Sequence, residues 1–170
     1  MSEHSHVVQE KPEWGDGPWQ HEPDRVGWVD EDTGLHCVIV RQPSSGHLCG
    51  YVAVPPEHPW HGVDYNDPLP DSRGYLRRVW DALRGHKCEQ LEDWEAPRPA
   101  SEVSVHGGMT YSGPAEGRWW FGFDCAHAGD LCPGHGARDI WPLTGELYRD
   151  LPYVRGEVQS LARQLKAVSQ

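Results

Sequence analysis

Two histidines and two aspartates between residues 106 and 130 have side chains whose types could carry chemistry. Asp124, His127 and Asp130 fall within the segment DCAHAGD, and His106 precedes them in VSVHGGMTY. Imidazole and carboxylate groups can hold a divalent cation such as zinc and leave a position for an activated water. We therefore predict a metal-assisted hydrolase centre. In it, His106, Asp124 and His127 are metal ligands or general bases, and Asp130 is a further metal-binding or supporting group.

The alternative is a hydrogen-bonded network of His and Asp that fixes a turn, since no spacing here matches an established metal motif. A β-hairpin over residues 103–130 would position the groups in either case. Two runs rich in Val, Tyr, Phe and Trp flank a turn cluster, SGPAEG. If Ser112 lies opposite Arg118, then His106 lies opposite Asp124 on one face of the hairpin.

The same face of this hairpin carries two glycines opposite each other, Gly108 and Gly122, next to Trp120. Glycines leave a floor without side chains, and a tryptophan offers a planar wall for stacking. We therefore predict a small pocket in which Gly108, Trp120 and Gly122 contact a ligand or cofactor. The other face, with Phe121 and Phe123, is predicted to pack on the core.

The cysteines allow two further interpretations. Cys49 lies two residues from His47 on a predicted strand, so their side chains are about 6 to 7 Å apart, and a catalytic Cys49 would need His106 or His127 as its base. A small buried thiol is the simpler alternative. The second interpretation is a structural zinc site with the ligand types Cys and His, formed by Cys125, His127, Cys132 and His135.

Composition limits the classes of protein. A chain of 170 residues fits one domain, and its formal net charge of -11 argues against nucleic-acid binding through bulk charge. No apolar stretch is long enough for a membrane span, and no secretory signal is evident, so we predict a cytoplasmic protein. An odd count of five cysteines argues against a disulfide framework.

The pattern of elements predicts an α+β fold in which an antiparallel sheet of two hairpins packs against a C-terminal amphipathic helix and a second helix. Residues 1–30 form an acidic, partly disordered arm, and residues 31–170 form a single domain with an insertion near 68–100. Apolar residues from Val154 to Val168 recur at helical spacing. The second helix is predicted at 72–85.

The other hairpin covers residues 35–54, LHCVIVRQPSSGHLCGYVAV. With Arg41 opposite His47, one face would carry Val38, Val40, Leu48 and Val52, and this more apolar face is predicted to form the core.

Four strings of the chain, GHLCGYVAVPPEHPWHG, VSVHGGMTYSG, WWFGFDCAHAGD and YRDLPYVRGEVQSLARQL, resemble an uncharacterised protein group of phages and bacteria. The resemblance covers about residues 35 to 168, and the chain departs from the group in the long segment 68–100. The group carries no established activity, so the resemblance assigns no site residues. It implies a phage or prophage accessory protein that acts on a small metabolite or a host defence signal.

Two functions remain open from the sequence. The first is a small soluble enzyme, a metal-assisted hydrolase of a small metabolite or signalling molecule. The second is a non-catalytic module that binds a small ligand or a protein partner, for example a phage anti-defence protein.

Overall fold

The fold is a six-stranded antiparallel sheet covered on one face by a long C-terminal helix, as seen in a computed structural model that describes residues 4–6, 10–69, 97–135 and 145–169. The strands are β1 (His4–His6), β2 (Arg25–Val29), β3 (His36–Arg41), β4 (Leu48–Val54), β5 (Tyr111–Ala115) and β6 (Arg118–Asp124), in the spatial order β1-β2-β3-β4-β6-β5. The helices are α1 (Pro99–Glu102) and α2 (Leu151–Val168).

The predicted α+β class is confirmed. The helix predicted at 72–85 and most of the predicted insertion lie outside the described residues. No helix among the described ranges has the length and apolar character needed to cross a membrane.

The sheet is wider than the two predicted hairpins because the N-terminal segment adds strands to its edge. β2 pairs with β3 and buries Val26 beside Ile39, and β1 pairs with β2 in turn. Short 3-10 turns precede β2, and Trp19 from one of them packs edge-on against Tyr148 with ring centroids 5.1 Å apart. Part of the N-terminal arm therefore belongs to the domain.

Helix α2 closes the core and follows its predicted pattern. Asp150 is the N-cap, and its carboxylate accepts a hydrogen bond of 2.9 Å from the Tyr153 backbone N–H. The apolar stripe is fully buried against the sheet at Val154, Val158, Leu161 and Leu165. Gly50 in β4 makes the close approach possible, because a Cβ there would overlap the side chains of α2 and β6.

The first hairpin has a different register from the predicted one. Arg41 pairs with Leu48, not with His47, because the loop is closed by a hydrogen bond from the Gln42 N–H to the His47 carbonyl, 2.9 Å long, and Gly46 adopts a left-handed φ of 77°. A shift of one residue in the pairing moves every side chain of one strand to the opposite face of the sheet relative to the other strand. The predicted core positions of Val38 and Val40 are therefore wrong, whereas Leu48 and Val52 are buried as predicted.

Arg41 consequently lies on the inner face, where it is only 3% exposed. Its Nε donates to Asp24 at 2.7 Å, and a terminal nitrogen donates to Glu22 at 2.9 Å. Lys11 lies 2.7 Å from the same Asp24 carboxylate, and Tyr148 donates to Glu22 at 2.6 Å. This buried network of charges holds the N-terminal segment against the sheet.

The second hairpin also closes differently. Glu116 and Gly117 have φ values of 51° and 71°, so they form a two-residue turn that pairs Ala115 with Arg118. The predicted pairing of Ser112 with Arg118 is wrong by three residues. Pro114 lies inside β5 and is tolerated there because β5 is an edge strand.

Replacing Arg41 with Met should destabilise the protein by about 3–5 kcal/mol, because the carboxylates of Asp24 and Glu22 would lose the buried guanidinium that they share, and Lys11 would remain to offset their charge. Urea unfolding measures the change, and exposed Arg163→Met is the matched control, expected to stay within about 0.5 kcal/mol of the wild type. Equal stability of both variants would contradict a structural role for the network.

Two glycines should respond in opposite ways to alanine. Gly50→Ala should destabilise by about 1–3 kcal/mol, because the new methyl group meets Val158 and Phe123. Gly156→Ala should stabilise by about 0.5–1 kcal/mol, since its Cβ meets nothing within 4 Å on an exposed face of α2. Urea unfolding of both variants tests the packing of the helix on β4.

Candidate functional site

Three of the predicted residues come together at the end of β6. His106, His127 and Asp130 each offer a ligand atom, and these atoms lie within 4.8 Å of one another. Within the described ranges, this is the one group of three or more His, Cys, Asp or Glu side chains that meets this distance. His106 lies in a turn closed by a hydrogen bond from Gly108 N–H to the Val105 carbonyl, and the other two lie in the loop after β6.

The carboxylate of Asp130 is the centre of the cluster. Its Oδ2 lies 2.6 Å from His106 Nε2 and accepts the His127 backbone N–H at 3.0 Å, while Oδ1 accepts Arg149 Nε at 2.8 Å. The side chain is 2% exposed. Burial by itself would raise the pKa of Asp130, but the hydrogen bonds from His106 and Arg149 outweigh it and lower this pKa below its usual value. Asp130 is therefore a buried carboxylate held in its charged form.

Helix α2 orients His106 through two side chains. Tyr153 Oη lies 2.9 Å from Nδ1 of His106, and Glu157 Oε2 accepts the backbone N–H of His106 at 2.7 Å. Tyr153, Glu157 and Arg149 were not predicted from the sequence. Tyr153 and Glu157 are four residues apart in α2 and so lie on one side of the helix, and this spacing was the available signal; Arg149 precedes the N-cap Asp150.

His127 has a ring nitrogen without a hydrogen bond. Its Nδ1 is buried and has no hydrogen-bond partner in the described part of the chain; it lies 3.7 Å from Asp130 Oδ2 and 3.8 Å from Asp124 Oδ1. The ring packs directly over Gly107, where any Cβ would overlap it and where φ is 66°. Gly107 was not predicted either, because nothing in the sequence sets it apart from Gly108.

The predicted cross-strand pair of His106 and Asp124 is wrong. His106 precedes β5, and Asp124 pairs with Cys49 of β4. The Asp124 carboxylate accepts Thr110 Oγ1 at 2.8 Å and the Ala126 backbone N–H at 3.0 Å. It still borders the cluster through His127.

The predicted glycine floor does not form either. Tyr111, not Gly108, lies opposite Gly122, and the Tyr51 side chain covers the space above Gly122. Trp120 does lie on the predicted face, but it is 8% exposed and its Nε1 donates to the Ala115 carbonyl at 3.0 Å. The register of the hairpin accounts for the missing pair of glycines.

The cysteines do not support the thiol interpretations. Cys49 is 3% exposed, and burial raises the pKa of its thiol to about 11, which is the opposite of what a nucleophile requires. Cys125 lies in the core, and Cys132 Sγ contacts His47 Nδ1 at 3.9 Å. In the described part of the chain, Cys125, His127, Cys132 and His135 do not gather into a zinc site.

The cluster thus consists of two histidines and one buried carboxylate at the end of β6. A comparison with protein-family models, curated proteins and solved structures found no match to this chain. Function must therefore be inferred from the chemistry of these side chains.

Asp130→Asn should destabilise the protein by about 1.5–3 kcal/mol at pH 7, because His106 and Arg149 lose a charged acceptor. The folded-state pKa of Asp130 is lowered, so its stabilising effect is present above the unfolded-state value of about 3.9 and is lost as the pH falls through the folded-state pKa. Urea unfolding at pH 7 and at decreasing acid pH should show the difference from the wild type shrinking in acid.

The exposed Asp16→Asn variant is the control for this experiment and should show no such pH-dependent difference. A destabilisation by Asp130→Asn that is constant at every pH would contradict the charged state assigned to Asp130.

Proposed function

We propose that the protein is a small metal-assisted hydrolase in which His106, His127 and Asp130 hold a divalent cation, with zinc as a candidate. The observation that carries this proposal is the approach of their three ligand atoms to within 4.8 Å of one another. Two imidazoles and one carboxylate are the protein ligands of many catalytic zinc sites, which keep a fourth position for water.

The distances favour this arrangement. Ligand atoms around a tetrahedral zinc lie about 3.4 Å from one another, given metal–ligand distances of about 2.0–2.2 Å. His127 Nδ1 is 3.7 Å from Asp130 Oδ2, close to that value. His106 Nε2 is 2.6 Å from the same oxygen, so this pair would separate by about 0.8 Å when a cation replaces the shared proton.

The surroundings also fit a metal centre. Metal-binding histidines use their second ring nitrogen for a hydrogen bond that fixes the ring, and metal-binding carboxylates are themselves hydrogen-bonded. Tyr153 provides this partner for His106 Nδ1, and Arg149 provides it for Asp130 Oδ1. The buried Nδ1 of His127, which otherwise has no hydrogen-bond partner among the described residues, would gain the cation as its partner.

The chemistry that follows is hydrolysis. A cation held by these residues would supply a bound water of lowered pKa, and hydrolysis would form a bond from that water oxygen to an electrophilic carbon or phosphorus of the substrate as the bond to the leaving group breaks. Asp124 borders His127 and can take the proton of the water and pass it to the leaving group. The expected substrate is a small metabolite or signalling molecule.

A second candidate function, a non-catalytic binding module, is favoured by a concavity of about 350 Å³ on the outer face of the sheet. Tyr51 and Tyr111 meet edge-on there, with centroids 5.4 Å apart. Such walls suit a planar ligand. The lining residues are Arg25, Val38, Val40, Tyr51, Tyr111, Ala115, Glu116 and Trp120.

Calorimetric titration with Zn²⁺, Mn²⁺ and Co²⁺ tests the metal centre. Metal-free wild type should bind one cation. His106→Ala and His127→Ala should each weaken binding by more than about 100-fold, which exceeds the loss expected on removing a residue that only supports a metal ligand. A cation at 100 times its Kd should stabilise the wild type by about 2.7 kcal/mol. The stability of each variant is measured without metal to exclude unfolding.

His21→Ala removes an exposed histidine of the N-terminal segment and is the matched control, expected to bind as the wild type does. Equal metal binding in all variants, or none in any, would end the proposal. Incubation with small esters, amides and phosphate esters then separates the two candidate functions, because an enzyme consumes a bound compound and a binding module returns it unchanged.

A further inference from the structure

Arg149 lies beside the cluster and offers hydrogen-bond donors that the described residues do not use, and Tyr153 lies next to it, against His106. Arg149 donates through Nε to Asp130, and its side chain is 24% exposed. Its two terminal nitrogens have no hydrogen-bond partner in the part of the chain that the structure describes. The guanidinium lies over the Tyr153 ring, 5.0 Å from its centroid, which fixes its direction.

The hydroxyl of Tyr153 becomes a donor once a cation occupies Nε2 of His106. A neutral imidazole carries one N–H, so metal binding at Nε2 requires the proton on Nδ1. Nδ1–H then donates to Tyr153 Oη at the observed separation of 2.9 Å. The Tyr153 O–H is therefore free to donate to a bound molecule, and its side chain is 37% exposed.

We propose, on the basis of the metal-assisted function above, that Arg149 and Tyr153 form an oxyanion-binding limb of the same centre and that the substrate is a small molecule with a phosphoryl group. The two terminal nitrogens of Arg149 form a fork that takes two oxygens. The cation and Tyr153 can then take a third oxygen. A tetrahedral phosphoryl group supplies three such oxygens, whereas a planar carboxylate supplies two.

Charge makes this limb depend on the cation. The groups that face the centre are Arg149 and the carboxylates of Asp124, Asp130 and Glu157, which together carry three negative charges and one positive charge. Their sum repels an anion until a divalent cation offsets it. Binding of the cation and of the anion should therefore strengthen each other, and this coupling is reciprocal.

The start of α2 does not provide this anion site by itself. The Asp150 carboxylate already accepts the Tyr153 backbone N–H, and Glu22 accepts the Leu151 N–H at 2.8 Å. The side chains of Arg149 and Tyr153 therefore provide the donors for the anion, and substitutions of these two residues can test its binding.

The test adds the metal alone to the full chain and then adds inorganic phosphate. Thermal shift and phosphorus NMR measure the binding of phosphate. Wild type loaded with Co²⁺ should bind phosphate, and acetate should bind at least about tenfold more weakly. Arg149→Lys should weaken phosphate binding about tenfold or more, because Lys keeps the charge but loses the fork. Tyr153→Phe should weaken it about fivefold, the effect of one hydrogen bond.

Arg163→Lys and Tyr65→Phe are the matched controls, expected to leave phosphate binding unchanged. Calorimetry with Co²⁺ alone on every variant keeps the metal centre separate from the limb. If the cation binds but phosphate does not, or binds all variants equally, or binds no better than acetate, the inference is overturned and the hydrolase proposal stands.

If the wild type binds no cation, the hydrolase proposal falls and the limb falls with it, because the charge balance of the limb and the free O–H of Tyr153 both depend on the cation.

Discussion

Burial of the apolar stripe of α2 is the constraint on which both the core and the candidate site depend. Val154 and Val158 are fully buried against the sheet, and this burial fixes the rotation of the helix about its axis. Tyr153 and Glu157 each precede a stripe residue by one position, so the same rotation turns them toward the loop of His106. Packing of the core therefore sets the geometry of the site.

The buried carboxylate of Asp130 is the second constraint. A charged group this well buried needs compensating donors, and it has three, which come from separate segments of the chain. His106 comes from the turn before β5, and Arg149 comes from the segment that leads into α2. The carboxylate thus ties three segments together, and a cation at this point would bind where the fold has already gathered its ligands.

The sequence predicted the individual strands and the helix better than the residues that pair between strands. Alternation in β6 correctly placed Phe121 and Phe123 in the core and Trp120 on the outer face, and spacing correctly predicted α2. The registers of both hairpins were wrong, because the turns have lengths that composition does not reveal: SGPAEG reads as one turn, yet only Glu116 and Gly117 turn the chain. The acid beside His106 was consequently taken to be Asp124.

By itself, the sequence determined which chemical groups are available, where the helix that closes the core lies, and the α+β class. These properties depend on residue type and local periodicity, which can be read along the chain. The tertiary structure alone decided that Asp130 is the acid bonded to His106, that Gly107 makes room for His127, and that Arg149 and Tyr153 border the cluster. Each of these contacts joins residues that are distant in sequence or lie in irregular loops, where turn geometry and long-range packing select the partner and no periodic signal exists.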